Sequence, residues 1–73
     1  METNIQRLGQ FVRAKRRERK LSQMELALLA DVGRRFISEL ESGEKGSLRF
    51  DKVDAVLDVL GKRLGVVDHE RDT

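Results

Sequence analysis

Residues 21–45, "LSQMELALLADVGRRFISELESGEK", contain two short apolar patterns separated by the turn "ADVG" at residues 30–33. The first pattern follows Ser22, and Glu25 three residues later completes a capping box, in which each side chain satisfies a free backbone N–H of the first helical turn. Asp31 adopts a left-handed backbone at a lower cost than most residues that carry a Cβ. The stretch therefore predicts two short helices joined by a tight turn.

The second of these helices has a distinctive outer face. Gly33 is an acceptable N-cap and Gly43 a common stop, which predicts a helix from about Arg34 to Ser42. The helical period leaves one face of this segment wholly polar. That face carries Arg35, Ser38 and Glu39, with Arg34 at its edge.

Two further helices flank this pair. Apolar residues at helical spacing predict one helix from about Asn4 to Arg19 and another from about Asp51 to Leu60. Gly9 interrupts the first at a cost of ~1 kcal/mol relative to alanine, which indicates a close helix crossing there. The sequence thus predicts an all-α fold of four helices. A short C-terminal β-strand over 62–67 is a candidate further element.

Composition excludes several functional classes. The 73 residues contain no cysteine and only one histidine, so neither disulfides nor a thiolate metal site is available. We expect no metal, no cofactor and no enzymatic activity, since the chain lacks a Cys/His pair and a phosphate-binding glycine loop. No apolar run reaches the ~18 residues of a membrane span, and the N-terminus does not resemble a signal peptide. These features predict a cytoplasmic protein.

The net charge of +2 is unevenly distributed. Residues 13–20, "RAKRRERK", hold six basic side chains and one acidic one. A local basic cluster of this kind favours a nucleic-acid partner more than the net charge does. Arg13, Arg17 and Lys20 could contact the flanking DNA backbone, but we favour a solvated helix face for each of them. Binding to RNA is disfavoured because no aromatic residue is interleaved in the cluster to stack on bases.

Two helices joined by a turn of three or four residues have the geometry of a helix-turn-helix. In that motif the second helix lies in the major groove of DNA with its N-terminal residues against base edges. Arginine is well suited to this position, because it donates to O6 and N7 of guanine together. Arg34 and Arg35 stand at the start of the second helix and are therefore the strongest candidates for base contacts.

A wider pattern supports this interpretation. It comprises Arg16, Leu21-Ser22-Gln23, Glu25-Leu26-Ala27, Val32, Ile37-Ser38, Leu40-Glu41 and Gly43. The pattern resembles the Cro/CI-type (XRE-like) helix-turn-helix family, which includes the lambdoid phage repressors. The segments 36–41 and 48–53, ahead of 56–61, are most similar to HipB-type antitoxin repressors. The resemblance implies a compact lambda-repressor-like DNA-binding domain over 1–67, with a disordered tail at 68–73.

The resemblance also implies a role for individual residues. It assigns base-facing positions to Gly33, Arg34, Arg35 and Glu39, with Glu39 either accepting from cytosine or, as we favour, holding an arginine in place. Ser38 lies on the same polar face and is a further candidate for a base contact. The resemblance places phosphate contacts at Gln23, Ser42, Lys45 and Ser47, and the sequence adds Arg13 and Ser22 as further candidates. A structural ion pair joins Arg16 to Glu41. A dimer interface is implied at Val53, Val56, Leu60, Leu64 and Val66, although these residues alternatively complete the core of the monomer.

The function implied is that of a dimeric autorepressor in a prokaryotic or phage nucleoid, which reads an inverted-repeat operator and binds a HipA-type toxin kinase. The alternative is a protein-interaction module, an antitoxin or adaptor that binds a toxin without specific DNA binding. The chain departs from the family pattern at Asp31, where glycine is usual, and at Gly33, where serine or threonine is usual. Both departures lie beside the expected DNA-facing surface and bear on its specificity.

Overall fold

The computed structural model describes residues 2–44 and 48–66, and these residues form four α-helices. The helices are α1 (Asn4–Glu18), α2 (Gln23–Ala30), α3 (Arg34–Ser42) and α4 (Phe50–Val59). The all-α, four-helix prediction is confirmed. Helix α1 ends one residue earlier than predicted, and α4 both begins and ends one residue earlier than predicted.

The predicted C-terminal β-strand is absent from the part of the chain that the structure describes. Residues 62–66 follow α4 without regular secondary structure, and Val67 lies outside the described residues. A β-strand exists only through hydrogen bonds to a neighbouring strand. The described residues elsewhere form helices and short connections, and they offer no such neighbour.

The helix ends follow from capping side chains. Ser22 donates its N–H to Oε1 of Glu25 over 2.8 Å, and its Oγ accepts from the N–H of Glu25 over 3.0 Å, which confirms the predicted capping box of α2. The same arrangement joins Thr3 to Gln6 at the start of α1. Asp31 takes the left-handed conformation, with φ 56° and ψ 46°, and ends α2. The tight turn predicted between α2 and α3 is therefore confirmed.

The core lies where all four helices meet, because each contributes its apolar stripe to one cluster. Helix α3 packs against α1 and α2, and α4 packs against α2. The buried side chains are Val12, Leu26, Ala27, Ala30, Ile37, Leu40, Val53, Val56, Leu57 and Leu60. This packing fixes the orientation of α3 and directs its polar face toward solvent.

Three residues predicted for a dimer interface lie in the core of the monomer. Val53, Val56 and Leu60 are at most 3% exposed within the single chain, and of the three only Val53 also lines an apolar pocket. Their apolar spacing on α4 is the same for either role, which is why the sequence left both open. Leu64 is half-buried against the core, whereas Val66 is fully exposed.

Gly9 lies at the crossing of α1 and α3. A Cβ at this position would overlap the backbone O of Leu40 and lie 2.9 Å from the backbone O of Glu41. Backbone carbonyls within a helix cannot rotate away as a side chain can. The close crossing predicted from the sequence is therefore confirmed, and glycine is required because the two helices approach too closely for any side chain.

We expect Gly9→Ala to destabilise the domain. Alanine gains ~1 kcal/mol of helix propensity, but overpacking against backbone costs up to ~3 kcal/mol, which leaves a net loss of about 2 kcal/mol. Urea unfolding followed by circular dichroism measures the change. Ala14→Gly, at an exposed position of the same helix, measures the propensity effect separately. A Gly9→Ala variant as stable as the wild type would contradict the close crossing.

Candidate nucleic-acid interface

The start of α3 presents a polar surface to solvent. Gly33, Arg34, Arg35 and Ser38 are exposed, and the Arg35 side chain retains 91% of its accessible surface. A Cβ built at Gly33 would meet nothing within 4 Å, so this end of the helix is also sterically open. These residues were predicted to contact bases, and they are thus accessible on one side of the domain, where α3 could enter a groove of DNA.

Glu39 contacts Arg35 on this surface. Nε of Arg35 donates to Oε1 of Glu39 over 3.0 Å, and the two residues are one helical turn apart. The Glu39 side chain is 25% exposed, much less than that of its partner. This geometry agrees with the preferred interpretation of Glu39, in which its carboxylate holds an arginine in place.

Beneath this surface, Arg16 of α1 and Glu41 of α3 form a bidentate ion pair. Nε of Arg16 lies 2.6 Å from Oε2 of Glu41, and Nη2 lies 2.9 Å from Oε1. The side chains are only 11% and 4% exposed, and Nη1 of Arg16 also donates to the backbone O of Leu21. Hydrogen bonding to Glu41 raises the pKa of Arg16, although partial burial opposes the shift. The pair thus ties α1 to α3 without leaving a buried charge uncompensated.

Gln23 extends this pair to the first turn of α2. Its Nε2 donates to Oε1 of Glu41 over 3.2 Å, so α1, α2 and α3 are joined by one polar network. Among the described residues, no buried side-chain nitrogen or oxygen lacks a hydrogen-bond partner. A fully satisfied network of this kind is rigid, and it fixes α3 relative to the first turn of α2.

A polar concavity of about 330 Å³ opens between the three helices. It is lined by Arg13, Arg16, Arg17, Gln23, Ser38, Glu41 and Ser42. Since Glu41 is neutralised by Arg16, the charges left at the opening are those of Arg13 and Arg17. Such an opening attracts an anion. Four residues of its lining, Arg13, Gln23, Ser38 and Ser42, were predicted DNA contacts, and the structure brings them together.

The first turn of α2 adds backbone donors to this concavity. The capping box uses the N–H groups of Ser22 and Glu25, whereas those of Gln23 and Met24 have no intrachain acceptor in the described part of the chain. Hydrogen bonds from the Ser22 N–H and hydroxyl lower the pKa of Glu25, so this carboxylate stays ionised at neutral pH. Free N–H groups at a helix N-terminus favour a phosphate oxygen.

The predicted phosphate contacts at the end of α3 and after it begin with Ser42, which lines the concavity. Ser42 lies at the C-terminal end of α3, where its hydroxyl donates to the backbone O of Glu39 and accepts from the N–H of Glu44. Lys45 and Ser47 lie outside the described residues. Arg17 was considered a solvated residue, yet it lines the concavity beside Arg13, and the signal that pointed to it was the basic cluster at 13–20.

Other kinds of site receive no support from the described residues. Within 2–44 and 48–66, no group of three or more His, Cys, Asp or Glu residues could hold a metal ion. No helix in these ranges is both long and apolar enough to cross a membrane.

Comparison with known proteins identifies the class of protein that carries this surface. A family model described as helix-turn-helix matches residues 12–67. The chain therefore belongs to the XRE-like helix-turn-helix family. It is also similar to a protein of Sinorhizobium fredii (strain NBRC 101917 / NGR234) named "Uncharacterized HTH-type transcriptional regulator y4mF". The two are 43% identical over 60 residues, which cover 82% of this chain and 78% of that relative.

Proposed function

We propose that the protein is a sequence-specific double-stranded DNA-binding regulator of transcription. The observation that carries this proposal is the exposed start of α3, where Arg34, Arg35 and Ser38 project from the body beside an arginine-lined concavity. Its place in a helix-turn-helix family and its likeness to a named transcriptional regulator support the same function.

The proposed docking places α3 in the major groove. The outer face of α3 then meets base edges, while the concavity between α1 and the first turn of α2 receives a backbone phosphate. Arg13 and Arg17 supply charge to that phosphate, and the Gln23 N–H supplies a hydrogen bond. In this arrangement the phosphate contact sets the register and α3 reads the sequence.

Steep salt dependence is expected for this mode of binding. If a dimer makes six to ten phosphate contacts, raising the salt concentration from 50 to 200 mM should weaken its duplex affinity by about 10³–10⁵. Fluorescence anisotropy with a labelled duplex measures the slope, and Arg17→Ala should reduce it by about one unit per subunit. Arg7→Ala, at an exposed α1 position that does not line the concavity, is the matched control. No duplex affinity at any salt concentration would favour the protein-interaction module.

We further propose that the protein acts as a homodimer on an inverted repeat, as an autorepressor. Apolar surface near the C-terminal segment supports self-association. Phe50 is 76% exposed and lines an apolar pocket of about 220 Å³, and Val66 is fully exposed. The pocket is lined by Ile5, Leu8, Leu48, Phe50, Val53 and Leu64. Two-fold pairing here would present two recognition helices to half-sites about 34 Å apart.

Deletion of residues 62–73 is expected to give a monomer that binds its operator much more weakly, because each remaining half-site contact acts alone. Sedimentation equilibrium measures the mass, and duplex titration measures the affinity. Val66→Asp tests the same contact by a single change at a fully exposed side chain, which the monomer fold does not use. An intact dimer in both variants would overturn the C-terminal dimer proposal.

A toxin partner is the remaining part of the proposal, in which the protein is a HipB-type antitoxin that binds a HipA-type kinase. On α2, Met24 is 50% exposed, Leu28 73% and Leu29 61%. A leucine side chain has no charge or hydrogen-bond donor with which to bind a phosphate backbone. Exposed apolar surface of this kind is typical of a protein contact. The same observation supports the alternative, a module that binds a toxin without specific DNA binding, and the duplex titration above separates the two.

A further inference from the structure

The two adjacent arginines of α3 are held differently. Arg35 donates its Nε–H to Glu39, whereas Arg34 has no ion pair within the described residues. The helical period also separates them, since Arg34 lies toward Ser38 and Glu41 and Arg35 lies above Glu39. The side chains of Arg34 and Arg35 therefore differ in conformational freedom before they contact DNA.

We propose that Glu39 is a positioning residue that makes Arg35 the guanine-reading side chain, while Arg34 acts as a phosphate-binding charge. This inference rests on the proposed function. With its Nε–H occupied by Glu39, the guanidinium of Arg35 keeps its Nη1 and Nη2 donors for a partner beyond the helix. Those two donors match the O6 and N7 acceptors that guanine presents together in the major groove.

One physical effect favours Arg35 over Arg34 in this role, and a second bears on specificity. An arginine that an ion pair already restrains before binding loses less side-chain entropy when it meets a base, so more of the hydrogen-bond energy appears as affinity. The carboxylate of Glu39 has the opposite effect on affinity, because a negative charge near a polyanion repels it at any sequence. A residue that lowers affinity for every duplex and increases discrimination between base sequences contributes to specificity.

The predicted signature is a split between affinity and discrimination. In Glu39→Ala, affinity for a non-cognate duplex should rise by about twofold or more, since a repulsive charge is gone. The preference for guanine over other bases at the position read by Arg35 should fall by about tenfold or more. A merely structural role for Glu39 would lower binding to both duplexes together and leave their ratio unchanged.

The experiment compares wild type, Glu39→Ala, Glu39→Gln and Arg34→Ala on matched duplexes that differ at one guanine. Glu39→Gln keeps an acceptor for Arg35 and should retain more of the preference than alanine. Arg34→Ala should weaken both duplexes equally. Asp54→Ala, at an exposed position of α4, removes the same charge away from α3 and is the control. Thermal melting verifies that each variant folds.

The outcomes distinguish this inference from the function on which it rests. Loss of guanine preference in Glu39→Ala with rising non-cognate affinity would support the positioning role. An unchanged preference in Glu39→Ala, or a preference lost in Arg34→Ala, would overturn it while leaving DNA binding intact. If the wild type binds no duplex, the proposed function itself fails.

Discussion

Glu41→Ala is expected to remove a large part of the stability of the domain. It leaves Arg16 buried with only the backbone O of Leu21 as an acceptor, and it removes the acceptor of Gln23. Breaking a buried ion pair by removing one partner costs about 3–5 kcal/mol. A chain of this length has a total stability of about 4–11 kcal/mol, so the loss is a large fraction of the whole and would unfold a domain at the lower end of that range. Urea unfolding at neutral pH measures the loss.

A double variant and a surface control complete that test. Arg16→Met with Glu41→Leu removes both charges and should recover much of the lost stability, since apolar replacements of a buried pair are often neutral. Glu18→Ala removes a carboxylate from the exposed contact with Lys15 and should cost less than about 0.5 kcal/mol. If Glu41→Ala and Glu18→Ala had equal effects, the pair would not tie α1 to α3.

Arg35→Ala is expected to abolish specific DNA binding while leaving the fold intact. Its side chain is 91% exposed and contacts no core residue, so the free energy of unfolding should change little. A bidentate contact to guanine provides about 1–3 kcal/mol of discrimination. A dimer loses this twice, which predicts a fall in operator affinity of about a hundredfold or more.

Titration of a fixed operator duplex measures this loss, and Arg7→Ala provides the matched removal of one positive charge. Arg7→Ala should weaken binding by a small factor at low salt and by almost nothing at moderate salt, where long-range charge effects are screened. Equal losses in the two variants would show that Arg35 contributes only general charge.

Local patterns predicted most of the fold. The Ser22–Glu25 capping box, the left-handed Asp31 and the stop at Gly43 are each determined within a few residues, so the bounds of α2 and α3 could be predicted from sequence. Gly9 predicted a helix crossing, because glycine destabilises the interior of a helix and a close contact with another helix is a reason for glycine to be there. These features depend on the backbone and its nearest neighbours.

Features that depend on distant residues were harder to predict. Arg16 and Glu41 are 25 positions apart, and only the family resemblance paired them. The concavity that includes Arg17 exists only once three helices have packed. Val53, Val56 and Leu60 form an apolar stripe that looks alike whether it faces a core or a partner, and packing decided for the core.

The exposed apolar face of α2 was also missed. Met24, Leu28 and Leu29 have the composition of buried residues, and in a short helix that is apolar on every side the sequence does not reveal which side faces outward. The packing of the helices decides which side faces outward, because α3 and α4 cover only the side that carries Leu26 and Ala30.

The most direct test of the central claim is a binding selection from a random duplex pool, run in parallel on the wild type and on Arg35→Ala. We expect the wild type to recover an inverted repeat with guanine at one position of each half-site, and Arg35→Ala to recover a relaxed motif or none. Recovery of the same motif by both proteins would contradict base reading by Arg35. A pool that neither protein enriches would contradict sequence-specific DNA binding altogether.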